Sequence, residues 1–423
     1  MSQQLRPGAP VWYRADIALL IGVGVVLVFG FGIAHTVNTG RNLVDLQVYR
    51  KGAWGFVHSL DPYGAGLPGP RLPYTYTPFS TIVFAPLAWI PFRDAKGIHT
   101  VVSVGALFAV VFLVVRELWG RICTPRRLIL ISAAVMIATY FSEPVMETLG
   151  YGQINLVLLG LIGFDLLAVR SRRFGGVLIG IAAGIKLTPL IFVVYLLVTN
   201  RHRAAITAAI TAAATVAVGW LLLPSPSTEY WFHLAWKASR VGPVGYVGNQ
   251  SLNGMWTRLV GSVAGAKPWW EVSALVVIAL GMWVAAQLHR RLGEPYGLAA
   301  CAATGLLVSP ISWSHHWVWW FVPALAVARL AIARRSLALG ATVVAWSVPF
   351  YVAPFWSIPH RNGRTLRPFS LDQLLASTYP VVALIALSAV AAWLWRATEV
   401  SPAAVNGRTP ATDTERRSTE ALT

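Results

Sequence analysis

The chain has 423 residues, of which 56% are hydrophobic and only 12% charged, with a formal net charge of +18. Repeated apolar runs approach the roughly 20 residues that a helix needs to cross a bilayer, which excludes an ordinary soluble domain and points to a polytopic membrane protein. Runs such as DIALLIGVGVVLVFGFGIA and VVSVGALFAVVFLVV are continuous, which excludes the short alternating segments of a β-barrel.

In chain order, the first apolar run lacks a small-residue cleavage site and reads as a retained helix. NLVDLQVYRKG follows it. If the stretch near 43–58 is helical, Gln47, Arg50, Lys51 and His58 share one side. Asp45 lies opposite them, with Tyr49, Gly52 and Phe56. A carboxylate on that face is costly to desolvate unless it caps the helix, pairs with a loop arginine, or serves as a general base toward a cavity. PFSTIVFAPLAWIPF is too short and too proline-bracketed to span, and reads as a helix near the outer interface.

With the N-terminus inside, the expected spans are roughly 17–36, 97–118, 128–142, 154–169, 174–186, 188–200, 204–223, 272–290, 296–309, 314–332, 337–355 and 375–396. That is about twelve helices with both ends inside, in an all-α polytopic arrangement with interfacial helices on the outer face. Basic clusters such as Arg126–Arg127, Arg201–Arg203, Arg290–Arg291 and Arg334–Arg335 then fall on the cytoplasmic side and account for most of the charge. KLTP interrupts the run from Gly175 to Asn200, giving a tight pair of short helices with Lys186 at the break. Gly176, Gly180 and Gly184 recur at four-residue spacing, a pattern for close helix packing. Cys123 falls in a basic loop and Cys301 in an apolar run, which argues against a disulfide or a thiolate metal site. The end of the chain, 401–423, reads as a disordered cytoplasmic tail.

The outer loops carry cations that topology leaves unexplained: Arg41, Arg50, Lys51, Arg71, Lys237, Arg240, Arg258, Lys267, Arg361, Arg364 and Arg367. Together they suggest an anionic ligand or a lipid headgroup. Lys186 is either a snorkelling lysine or an anion-binding group in a helix break. Asn249, Gln250 and Asn253 of NQSLNG, with Arg258 nearby, either form an ordinary turn or meet sugar hydroxyls. Gln153 and Asn155 open a helix at the outer face and read as its cap. His315 and His316 are adjacent, so on a helix at most one faces a given site squarely. The 19 tryptophans suit a bilayer interface as well as sugar stacking.

The segments DLQVY, PYTYTPF, GQINLVLLGLI, GIAAGIKLTPLIFVVYLL, NQSLNG and SPISWSHHWVWW together resemble glycosyltransferase family 87, within the membrane-embedded GT-C glycosyltransferases. That family includes mycobacterial polyprenol-phosphate-mannose-dependent α-1,2-mannosyltransferases acting on phosphatidylinositol mannosides and lipomannan. The resemblance runs from about Asp45 to His316 and implies one GT-C catalytic domain over 1–400. It further implies a polyprenyl-phosphate mannose donor, a mannosylated glycolipid acceptor, and a site on the extracytoplasmic side of the plasma membrane. A phosphate leaving group needs cations and hydrogen-bond donors but no acid, and one carboxylate suffices to deprotonate the attacking hydroxyl. Asp45 is the expected base. His315 or His316, Lys186, Arg258, Asn249, Gln250 and Asn253 are the expected donor-binding groups. No DxD pair is present, which weakens the case for a nucleotide sugar with a bound divalent metal, so no cofactor is expected. A lipid-linked arabinose donor and a polytopic lipid transporter are the competing readings.

Overall fold

The computed structural model describes residues 12–38, 42–64, 66–169, 171, 173–358 and 370–399. The expected tail and the loop cations Arg41, Arg361, Arg364 and Arg367 lie outside the described residues. The described chain is helical, with one isolated bridge between Asn249 and Trp313.

Helix α1 (Arg14–Asn38) carries Asp16 in its first turn, where a carboxylate is favoured by the helix dipole and accepts a 3.3 Å bond from Arg126. Helix α2 (Val44–Val57) and the short α3 (Pro78–Phe84) follow, then the long α4 (Phe92–Trp119). The helices α5 (Pro125–Tyr140) and α6 (Glu143–Tyr151) meet at a 70° bend. A series of short helices comes next: α7 (Asn155–Leu167), α8 (Val177–Ile185) and α9 (Ile191–Val198). Then come α10 (His202–Leu222), α11 (Leu252–Val260), α12 (Val263–Leu292), α13 (Glu294–Val308), α14 (Phe321–Arg334), α15 (Leu337–Val352) and α16 (Thr378–Glu399).

Among the described residues, six helices are long and apolar enough to cross a membrane: those beginning α1, α4, α10, α12, α15 and α16. The bent α5–α6 pair would make a seventh. The protein is therefore an all-α polytopic membrane protein, and among the described residues the candidate spans, by length and composition, number six or seven where hydropathy led to an expectation of about twelve. The difference has a length-based cause. The runs expected at 154–169, 174–186, 188–200, 296–309 and 314–332 contain helices of only 13, 9, 8, 15 and 14 residues. At 1.5 Å per residue, a 13-residue helix reaches only about 20 Å, short of a hydrocarbon core of roughly 30 Å. The stretch 314–332 begins in a 3-10 turn, Ser314–His316, and becomes α-helical only from Phe321.

Apolar side chains left exposed on the long helices, among them Ile21, Val26, Leu221, Val272, Leu275 and Val344, suit a lipid surface. Helix α4 is instead central, with Leu107, Val110, Val111 and Val114 fully buried. The glycine stripe of α8 packs on α10. A Cβ at Gly180 would meet Thr211 Cβ at 2.5 Å and the Ala208 carbonyl oxygen at 2.6 Å, and one at Gly184 would collide with Thr215. On the side of the molecule where α9 meets α10 and α12 meets α13, Glu294 accepts two bonds from Arg201 at 3.0 and 3.2 Å and one from the Tyr195 hydroxyl at 3.0 Å. This bidentate pair ties the two helix junctions together.

Candidate active site

The entry to α2 explains how Asp45 is presented. Leu43 precedes the helix in a left-handed conformation (φ 41°), and no side chain caps the helix start, so Asp45 in the first turn is not its N-cap. The end of α6 closes on this turn. Gly152 adopts φ 70°, and the Gln153 amide donates back to the Thr148 carbonyl at 2.9 Å, the wrap of a Schellman-type helix end. A Cβ at Gly152 would lie 2.8 Å from Leu46 Cβ and 3.0 Å from Leu43 Cβ. Glycine is required there by both backbone conformation and close approach. The result is that Gln153, just beyond the helix end, reaches Asp45.

Gln153 Nε2 donates to Asp45 Oδ2 at 2.9 Å. Its Oε1 accepts from the hydroxyls of Tyr49 and Tyr76, each at 2.9 Å, and these two hydroxyls lie 2.9 Å apart. Tyr49 is fully buried and stacked on Phe84, with ring centroids 4.5 Å apart. Its hydroxyl also accepts the Ile154 amide at 3.2 Å. The orientation of the Gln153 amide is thus set from both ends, and its N–H points at the carboxylate.

Lys186 supplies the positive charge of the site. The chain at KLTP is extended at Lys186 and turns through a 3-10 segment, Thr188–Leu190. Nζ donates to Asn155 Oδ1 at 3.2 Å and lies 3.2 Å from His316 Nε2, with the Tyr76 ring 5.6 Å away. Among the described residues no carboxylate comes within ion-pair distance of it. Burial raises the Asp45 carboxyl to about 6, against the Gln153 hydrogen bond and the charge of Lys186, both of which lower it. A carboxylate held near neutrality is suited to accept a proton.

The two histidines part company. Their rings are 5.0 Å apart and nearly perpendicular. His316 lines the cavity described below, and His315 packs on Tyr151 with centroids 5.1 Å apart. The His315 carbonyl accepts from Thr148 Oγ1 at 2.7 Å and Asn155 Nδ2 at 3.0 Å, which fixes the turn, while its buried Nε2 has no hydrogen-bond partner among the described residues.

Asp45, Gln153, Lys186, His316, Asn253 and Arg258 open on one cavity of about 1870 Å³. Asn253 donates to the Pro310 carbonyl at 3.1 Å. Arg258 is largely occupied by its own wall, donating to the carbonyls of Tyr246 and Asn249 and to Ser377 at 3.0–3.1 Å. The expectation for Asn249 and Gln250 is revised. Both are fully buried and do not line the cavity. Asn249 bonds the Val244 carbonyl and the Ser312 amide at 2.9 Å each. Gln250 bonds the carbonyls of Val247 and Ala376 at 2.6 and 2.8 Å and the Tyr379 amide at 3.1 Å. They brace the turn that carries the histidines. Tyr49 and Tyr76, and the roles of Gln153 and Asn155 beyond capping, were not singled out by sequence reasoning. All four do fall inside the DLQVY, PYTYTPF and GQIN segments. Among the described residues no group of three His, Cys, Asp or Glu side chains is placed to hold a metal ion.

The sequence profile of glycosyltransferase family 87 matches residues 74–310, more than half of the chain. The chain belongs to glycosyltransferase family 87. The family segment includes Tyr76, Gln153, Asn155, Lys186, Asn253 and Arg258, and Asp45 and His316 join it from either side. Among individual members, the chain is 33% identical over 301 residues to a polyprenol-phosphate-mannose-dependent α-(1-2)-phosphatidylinositol mannoside mannosyltransferase of Mycobacterium tuberculosis, covering 68% of this chain and 70% of that protein. It is 38% identical over 298 residues to the corresponding phosphatidylinositol pentamannoside mannosyltransferase of Mycolicibacterium smegmatis, covering 67% and 69%. An α-(1->3)-arabinofuranosyltransferase of Corynebacterium glutamicum is more distant, 28% identical over 261 residues, covering 60% and 56%. The protein is therefore a membrane-embedded glycosyltransferase relative, related to enzymes that use a polyprenol-phosphate sugar.

Proposed function

We propose that the protein transfers mannose from polyprenyl-phosphate mannose to a mannosylated glycolipid, a phosphatidylinositol mannoside or lipomannan, forming an α-1,2 link at the extracytoplasmic face of the plasma membrane. The observation that carries this reading is a single lining carboxylate, Asp45, which burial raises to about 6, in a cavity that also contains the Lys186–His316 pair. Asp45 takes the proton of the acceptor hydroxyl as its oxygen bonds the anomeric carbon. The bond from that carbon to the phosphate oxygen breaks, and polyprenyl phosphate leaves as a stable anion. One in-line displacement inverts a β-linked donor to an α-mannoside, so the paired carboxylates of a glycosidase are not needed. Lys186 and His316 receive the phosphate charge, a role in which preorganised donors in a dry site are effective. Arg258 adds positive potential to the wall, and Asn253 presents an amide toward sugar hydroxyls. A cavity of about 1870 Å³ is well above the few hundred to a thousand of an ordinary small-molecule pocket, as two lipid-borne sugars require.

The test uses purified full-length protein, short-chain polyprenyl-phosphate mannose and a synthetic phosphatidylinositol mannoside. The expected outcome is an acceptor one hexose heavier, with an α-1,2 linkage by methylation analysis. Unchanged acceptor would contradict the reading. The arabinofuranosyltransferase relative supports a second reading, and polyprenyl-phosphate arabinose in the same assay discriminates the two.

A further inference from the structure

We infer that Arg240 is a specificity-determining residue that binds the phosphodiester of the acceptor lipid and so restricts acceptors to anionic glycolipids. The inference rests on the transferase reading above and extends it to the acceptor.

Four cations besides Lys186 line the cavity, and their surroundings differ. Arg258 is occupied by two carbonyls and Ser377. Lys267 is largely exposed and lies 3.8 Å from Glu271. Lys237 is exposed. Arg240 is half-buried, with its guanidinium 5.8 Å over the Tyr63 ring and one N–H donating to the Tyr74 carbonyl at 2.9 Å. Among the described residues no carboxylate forms an ion pair with it. An arginine has five N–H donors in a planar fork suited to phosphate, so a guanidinium steadied by one carbonyl and one ring keeps donors for an anion.

Position decides which anion. The donor's phosphate is bonded directly to the reacting carbon, so it must lie beside the base, and Lys186 is the cation whose charge Asp45 feels. Arg240 is separated from that centre by a row of tyrosines. The guanidinium meets Tyr63 and the Tyr74 carbonyl directly, the Tyr63 hydroxyl donates to the Tyr76 carbonyl at 2.8 Å, and the Tyr76 hydroxyl bonds Gln153, so the chain of contacts from Arg240 to Asp45 runs through Tyr63, Tyr76 and Gln153. The phosphodiester of a phosphoinositide acceptor is likewise separated from its reacting hydroxyl by the inositol and the intervening sugars. Tyr230, stacked on Tyr63 with ring centroids 5.5 Å apart, and Trp236 also line the cavity, and Trp236 is 78% exposed, as is Phe232 of the same segment at 67%. Exposed aromatics next to a cavity wall fit a lipid entering from the bilayer interface with its headgroup turned inward.

The experiment compares two acceptors in the full-length protein: a phosphatidylinositol mannoside, and the same mannosyl inositol joined to its lipid by a neutral ether. Arg240→Gln removes the charge and the terminal N–H groups, including the one that meets the Tyr74 carbonyl, and leaves a polar amide; any purely structural loss then falls equally on both acceptors. It should raise KM for the phosphodiester acceptor about tenfold or more, as expected for loss of a charge-assisted bond. KM for the neutral acceptor and for polyprenyl-phosphate mannose should stay within about twofold, and Arg240→Lys should restore part of the preference. An equal loss with both acceptors would make Arg240 a structural residue, and a rise in donor KM alone would assign it to the donor; either result overturns the inference. Absence of mannose transfer by the wild-type protein to either acceptor would overturn the transferase reading itself.

Discussion

At the scale of residues, the candidate site is a hydrogen-bond chain ending on one carboxylate, Asp45. Burial lifts Asp45 to about 6, and the Gln153 bond holds it from rising further. A base acts when ionised, so transfer should rise with pH through about 6 and fall about tenfold per unit below it. Replacing Gln153 with Met removes a bond that favours the charged form, and the acidic limb of the kcat/KM profile should then move to higher pH. An unmoved limb would detach Gln153 from the base. Lys186→Met should raise donor KM by about tenfold to a hundredfold if Nζ meets the phosphate, measured by titrating polyprenyl-phosphate mannose. Unchanged donor KM would leave Lys186 as a packing partner of Tyr76 and His316. The carboxylate and the lysine were legible because each is an expensive residue in an apolar setting. Their partners were not: Gln153 lies 108 residues from Asp45, and His316 lies 130 from Lys186. An amide looks alike in sequence whether it caps a helix or, as Gln153 does, bonds a distant carboxylate. Asn249 and Gln250 make the same point, because they meet backbone groups that only the folded loop supplies.

At the scale of elements, small residues set the spacing. Gly180 lets α8 meet α10, so Gly180→Val forces extra atoms into a closed interface and should cost about 1–3 kcal/mol of stability, read as a lowered Tm in detergent. A variant with unchanged Tm would show that α10 yields freely. Gly152→Ala is the sharper test for function. Its Cβ would meet Leu46 while φ is 70°, and the displaced helix end carries Gln153. Activity should fall well beyond the loss of folded protein. The four-residue glycine stripe was readable from its period alone. Helix existence and the break at KLTP were readable as well. Span number was not, because hydropathy registers an apolar run without registering where a helix starts. Helices α7, α8 and α9 are as apolar as spans yet only 13, 9 and 8 residues long. Their turns and breaks carry Asn155, Lys186 and the backbone around them into the site. The same shortness that lowers the count builds the cavity wall.

At the scale of the whole molecule, helices with exposed apolar faces surround buried short helices and broken turns, and the polar chemistry gathers where those breaks meet. α2 brings the carboxylate, the end of α6 brings Gln153, the break before α9 brings Lys186, and the 314–316 turn brings His316. Donor and acceptor are both lipids in this account, so membrane depth positions them and the cavity need supply only a base, a phosphate site and sugar contacts. Asp45 is proposed here as the base of the sugar transfer. The most direct measurement is single-turnover transfer from polyprenyl-phosphate mannose by purified Asp45→Asn protein, with donor binding and Tm recorded on the same sample. The account predicts a folded protein that binds donor with near wild-type affinity and transfers mannose about a hundredfold to ten-thousandfold more slowly. A folded Asp45→Asn protein that transfers at close to the wild-type rate would contradict it.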